Sequence, residues 1–187
     1  SNPDVWKAYK DVPGVESELV NLDEADGWIQ LVNLCDSKPD SIVVINTAAR
    51  NNQGVSSYGE TLNSTLNELK RKLITLWVIN RQRDSLELLK EYMDAIPNAD
   101  VHIIRNGYFG DEKKFELYNG SKLRTAVEEK GGKSLTFPDL ADRVSDDIYS
   151  KRMAISIASK ELPIGNRAEL TRWRNDVKKV LCEVASS

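Results

Sequence analysis

Histidine, cysteine and long apolar runs are what this 187-residue chain has least of, and each scarcity closes a class of function. The one histidine, His102, has no plausible thiol or serine partner, so Ser/His/Asp and Cys/His nucleophilic mechanisms are poor expectations. Zinc sites of the histidine–cysteine kind fail on the same count. The two cysteines, Cys35 and Cys182, are far apart and make neither a CxxC pair nor a disulfide framework, which fits a reducing cytoplasm. No apolar run approaches the roughly 20 residues that cross a bilayer, and no signal peptide opens the chain. The expectation is a cytoplasmic protein without a membrane span. The chain opens on Ser1 rather than methionine and is read as processed or trimmed.

What is present is ordinary for a globular protein: 40% hydrophobic and 29% charged residues in 21.0 kDa, enough for a single α/β domain over residues 1–187. The net charge of −3 conceals an asymmetry. Residues 1–40 carry nine acids against three lysines, whereas residues 150–187 carry eight basic residues against four acids. A basic patch near the C-terminus could meet an anionic partner such as DNA; a solvated helix face is the plainer reading.

Three segments share one design. Residues 41–50 (SIVVINTAAR), 73–80 (LITLWVIN) and 101–106 (VHIIRN) are apolar runs, each carrying an asparagine at or near its polar end: Asn46, Asn80 and Asn106. Strands apolar on both faces belong in a parallel sheet covered by helices, and such sheets bind ligands just beyond their strands' carboxyl ends. Any one of these asparagines is explained by a local turn. Together they suggest a polar ligand edge, since an amide both donates and accepts, as a purine edge or a ribose hydroxyl requires.

Between these runs the spacing predicts helices. One opens at Asn2-Pro3, and others cover about 23–35, 57–72, 84–96 (opened by a capping box at Asp84 and Glu87) and 122–130. A short strand at 134–137 is followed by a helix with Pro138 at its start, reaching about Tyr149. The last helix is capped by Asn166, with Glu169 completing a capping box, and carries the stripe Leu170, Trp173, Val177, Val180, Leu181 and Val184. Alternation of this kind predicts a three-layer α/β sandwich with a mostly parallel sheet flanked by helices. His102, flanked by apolar residues, reads as a packed and hydrogen-bonded core histidine. The GGKS run at 131–134 is not a phosphate loop, because it sits in helix–loop–strand order with Val127 where a glycine is needed. The aromatic-bearing segment 105–121 is long enough to be a lid or to cover a sheet edge.

These runs resemble the ParA/MinD-like P-loop ATPases, in particular the plasmid stability and mobilisation proteins. Residues 42–49 resemble that family's Walker B strand, 103–106 the strand whose terminal asparagine reads adenine, 137–139 the next strand end, where a proline–acid pair lines the base, and 1–5 the segment just after the second strand. The resemblance implies a P-loop NTPase-like fold and a base site of Asn106, Pro138 and Asp139, near Asn46 and Asn80. It implies ATP and magnesium as cofactors of the full-length protein, and homodimerisation or association with DNA or a plasmid-transfer protein switched by the nucleotide. The pattern departs at two places. The first strand with its Walker A loop has no counterpart in these residues, and Asn46 stands where an aspartate is usual. The chain alone is therefore expected to be inactive and to need no cofactor, with ATPase activity only if a Walker A segment lies upstream. The alternative is a non-catalytic interaction module that keeps the fold as a scaffold. A small-molecule enzyme of flavodoxin-like fold is weaker, since no acid/base pair is visible.

Overall fold

The computed structural model describes residues 3–47 and 52–185. Its centre is a parallel sheet of β1 (Ile74–Ile79), β2 (Asp100–Asn106) and β3 (Ser134–Phe137), in that spatial order. Ile74 lies opposite Asp100 and Ile79 opposite Arg105, while Ile103 pairs with Ser134 and Asn106 with Phe137. All three strands thus deliver their carboxyl ends to one edge.

Strand alternation explains the first core. Trp77 and Ile79 of β1 share a face with Val101 and Ile103 of β2, and there they meet Leu86, Leu89 and Met93 of α4 (Asp84–Ala95). Those three residues recur at helical spacing, so α4 turns one apolar face inward. Tyr118 of α5 (Glu116–Asn119) and Val127 of α6 (Lys122–Glu129) complete this cluster with Phe115. Trp77 Nε1 donates to the Ser85 carbonyl at 3.0 Å, satisfying the polar atom of the largest side chain there.

A second cluster joins α2 (Ala25–Ser37) to α3 (Asn52–Asn63) through Trp28, Leu31, Cys35, Val55, Leu62 and Leu66, with Ile96 from the end of α4. The third lies among α7 (Asp142–Ser150), α8 (Ile155–Glu161) and α9 (Ile164–Ala185), built on Val144, Ala158, Leu162 and Leu170, with Trp173 packed against it. Helix α9 also contacts β3. A short α1 (Asp4–Tyr9) opens the described chain. Among the described residues no helix is long and apolar enough to cross a membrane.

The α/β alternation and flanking helices agree with the sequence pattern, with three strands instead of four. The expected strand at 41–50 is absent over its described part: residues 42–47 carry no ladder, and Ile42 and Val44 are 93% and 86% exposed. Residues 48–50 lie outside the described residues. A strand needs a neighbour for its N–H and C=O groups, and this run is held away from β1. Arg71, close before β1, donates from Nη1 to the Ser41 carbonyl at 2.9 Å and from Nη2 to the Cys35 and Lys38 carbonyls. An arginine side chain therefore stands between the two roots.

Other differences are local. Pro3 occupies the N-cap position of α1, and Asn2 lies outside the described residues. Helix α3 stops at Asn63 rather than near residue 72, because Ser64 and Thr65 turn their hydroxyls back onto the Glu60, Thr61 and Leu62 carbonyls and favour a turn. No side chain caps α4 from Arg83, the N-cap position, and Asp84 is its first helical residue, so the capping box is not formed. Pro138 precedes α7 by four residues instead of starting it. Helix α9 begins at Ile164, which places Asn166 inside its first turn, where Nδ2 donates to Asp147 Oδ2 at 3.0 Å. Glu169 accordingly binds Arg172 at 2.6 Å rather than closing a capping box. Gly131 takes φ +85° just past α6, in the expected helix–turn–strand order.

Candidate functional site at the carboxyl edge of the sheet

Two of the three asparagines reach the same edge. Asn80 follows β1 directly. Its Oδ1 accepts from the Gln82 N–H at 2.8 Å and from Ser85 Oγ at 3.4 Å, forming the turn that leads into α4. Asn106 ends β2, and its Oδ1 accepts from the Tyr108 N–H at 3.1 Å, which caps a 3-10 turn over Gly107–Phe109. Both carbonyl oxygens serve the backbone, so any ligand would meet the amide nitrogens. Asn46 is exposed in the 42–47 run and is not carried by the sheet.

Gly107 draws the second and third strand ends together. A Cβ at this position would lie 2.2 Å from the Phe137 carbonyl oxygen and 2.9 Å from the Asp139 nitrogen. Contact this close admits only glycine. It seats Asn106 beside the Pro138-Asp139 turn, as the strand-end placement in the sequence suggests. The turn is held from behind by Trp173, whose Nε1 donates to the Pro138 carbonyl at 2.8 Å. Asp139 is exposed and Pro138 half-buried.

On the β1 side of the same edge lies an open cleft of about 450 Å³ lined by Asn80, Arg81, Gln82, Phe109, Lys114, Glu116 and Leu117. Only Asn80 of these stands among the residues singled out from sequence. Arg81 and Lys114 bring two cations against the one carboxylate of Glu116, beside the partly exposed ring of Phe109. The signal that could have found the others is the density of polar and basic residues at 80–83, directly after an apolar strand, facing an aromatic loop.

That loop is not a free lid. Residues 107–121 fold into two short 3-10 turns and α5, and Arg105 fastens them to the sheet. Arg105 is 1% exposed. Its Nε and Nη2 donate to Asn119 Oδ1 at 3.2 and 2.9 Å, its Nη1 donates to the Ser134 carbonyl at 3.0 Å, and it pairs with Glu112 at 3.2 Å. Its guanidinium carbon lies 5.5 Å from the centre of the Tyr118 ring. The Tyr118 hydroxyl meets Ser134 Oγ at 2.6 Å, and burial pushes its pKa up. The segment thus covers the sheet and presents Phe109, Lys114, Glu116 and Leu117 to the cleft.

His102 is buried within β2, away from this edge. Its Nδ1 accepts the Lys133 N–H at 3.2 Å, while Nε2 is buried without a partner. Burial holds its pKa below the usual 6.5. It is a core residue, hydrogen-bonded through one of its two nitrogens.

The donor set fits a base better than a triphosphate. Amide and backbone groups at 106–107 and 138–139 suit the edge of a heterocycle, and Arg81 and Lys114 could meet an anion. Among the described residues no glycine-rich strand–loop–helix turn offers backbone N–H groups to a phosphate chain. No cluster of three or more His, Cys, Asp or Glu could hold a metal ion among those residues.

Protein MobD of Acidithiobacillus ferrooxidans is 86% identical to this chain over 181 residues, covering 97% of this chain and 79% of that protein. No protein-family profile matches the chain. No solved structure matches it either. Identity this high over nearly the whole chain leaves one assignment: the chain belongs to the MobD family.

Proposed function

We propose that this protein is a plasmid-mobilisation accessory protein whose carboxyl edge takes an adenine nucleotide, with the nucleotide state governing dimerisation or contact with DNA or a transfer protein. The likeness to MobD supports the mobilisation half of this reading. The ParA/MinD-like pattern of the strand ends supports the nucleotide half. The observation that carries it is the Gly107 contact, which sets Asn106 against the Pro138-Asp139 turn beside a cleft with two cations. The residues present hold a base and no phosphate loop or magnesium site, so this chain by itself binds ATP weakly and does not hydrolyse it.

The test is a fluorescent adenine-nucleotide titration of the protein made from its complete reading frame, against Asn106→Ala and Asp139→Ala. Loss of affinity in both variants with unchanged unfolding temperature supports the base site. Equal affinity in all three proteins removes it.

A second reading has its own observation. The Oδ1 atoms of Asn80 and Asn106 are committed to backbone turns, as a purely structural role requires. On that reading the fold is a scaffold for another protein. No adenine nucleotide then binds to the complete protein at millimolar concentration.

DNA contact would fall to the exposed side of α9. There Arg172 and Lys179 are engaged by Glu169 and Asp176, while Arg174 and Lys178 are exposed. Reversing Arg174 and Lys178 together should weaken DNA binding and flatten its salt dependence in an anisotropy titration at two salt concentrations. Unchanged binding would show that face to be solvated surface.

A further inference from the structure

Two features of this structure lack a neighbour among the described residues. The first is β1, hydrogen-bonded to β2 on one side only. Thr75, Trp77 and Ile79 turn toward α4, so alternation places Ile74, Leu76 and Val78 on the other face. Val78 there is 57% exposed, and Ile74 is exposed too. The second is the run 42–47, with four consecutive branched apolar side chains, Ile42 to Ile45, all exposed. Bare strand edges and contiguous apolar patches of this kind mark surfaces that something covers.

Arg71 sets the spacing between the two. It stands three positions before Ile74 and holds the Ser41 carbonyl at 2.9 Å, so run and strand start from the same end of the sheet. Paired strands sit about 4.8 Å apart, whereas these roots are separated by an arginine side chain and a hydrogen bond. That gap is too wide for direct pairing and suits one strand between them.

The geometry points to an additional parallel strand between residues 42–46 and β1, hydrogen-bonded to both and supplied by residues of the same polypeptide outside these 187. A parallel strand needs a crossover of about a dozen or more residues, usually a helix, and that helix covers Ile74 and Val78. The length required is on hand in the relative: 181 matched residues are 79% of it, so its unmatched fifth is on the order of 50 residues. A strand of about six residues and a crossover helix fit within that. A second copy fits less well. A two-fold contact between β1 edges would be antiparallel and would leave the 42–46 run bare. The inference is independent of the nucleotide reading, and its test contains no nucleotide.

The test is hydrogen exchange, read by mass spectrometry, on the protein expressed from its complete reading frame, with its oligomeric state measured at the same concentrations. Amides of 43–46 and 74–79 are expected to exchange about a hundredfold or more slower than unstructured chain, at a rate independent of protein concentration. Val44→Asp should release 43–46, while α4 stays protected. Coil-like exchange at 43–46 in the complete protein overturns the inference, as does a reading frame that adds no apolar segment of strand length. Protection that grows with concentration and tracks dimer formation also overturns it, in favour of a second copy.

Discussion

Arg105→Ala should be among the most damaging substitutions in this protein, and the reason can be worked from its contacts. The guanidinium is 1% exposed and binds Asn119 twice, the Ser134 carbonyl once and Glu112 at 3.2 Å, with Tyr118 below it. Hydrogen bonds to a charged donor are worth about 1.5–3 kcal/mol each by deletion. The Glu112 pair counts for less, about 1 kcal/mol at most, since Glu112 is 59% exposed and solvent screens it. These contacts share one donor group and do not add. Removing one member of a buried charged network costs about 3–5 kcal/mol, which sets the expectation here. At about 2–4 °C per kcal/mol for a chain of this size, the melting temperature should fall by roughly 6–20 °C. Urea unfolding measures the loss, and hydrogen exchange should show 107–121 loosening before α4. Arg105→Lys should recover little, because an ammonium cannot span Asn119 and the Ser134 carbonyl with a rigid fork. A cost below about 1 kcal/mol, or an equal loss with 107–121 still protected, would refute the fastening role.

Gly107→Ala should push the end of β2 away from Phe137–Asp139, since its new Cβ would meet the Phe137 carbonyl oxygen at 2.2 Å; lost protection at 134–139 and lost nucleotide affinity, against an otherwise protected sheet, check it. Trp173→Ala should cost about 2–3 kcal/mol by chemical denaturation, less than the roughly 3–5 of a fully buried tryptophan, because Trp173 is half-buried and holds the Pro138 carbonyl at 2.8 Å. Burial lowers the pKa of His102 in the folded state, so below its ordinary 6.5 the unfolded chain binds the extra proton. Stability should therefore fall as pH drops from about 7 to 5, and His102→Gln should flatten that part of the profile.

Helical periodicity and strand composition made most elements legible before any coordinates. The strands at 73–80, 101–106 and 134–137 stand out because β-branched runs between turn residues have few other uses. The stripe on α9 was equally plain from Leu170, Trp173, Val177 and Val184, and Leu170 and Val184 are buried. Helix ends were less legible. Asn166, Asp84 and Pro138 are residues of the capping kind, yet Asn166 satisfies Asp147, Asp84 is already helical, and Pro138 offers its carbonyl to Trp173. Each of those choices depends on a partner distant in sequence, which local propensity cannot weigh. Arg105 would pass as a surface residue on composition alone; burial among Asn119, Ser134 and Tyr118 makes it a clamp.

The site divides along the same line. That Asn80 and Asn106 end parallel strands follows from the pattern of the chain, because strand direction and strand end are local properties. Their surroundings are not local. Gly107 against Phe137, Phe109 and Lys114 beside Arg81, and the absence of Asn46 from the sheet all depend on which segments become neighbours. The run at 42–46 shows this most directly, since it has the composition of a buried strand and none of the burial. Apolar character sets what a segment can become, whereas hydrogen-bonding neighbours determine what it is, and those neighbours belong to the assembled fold.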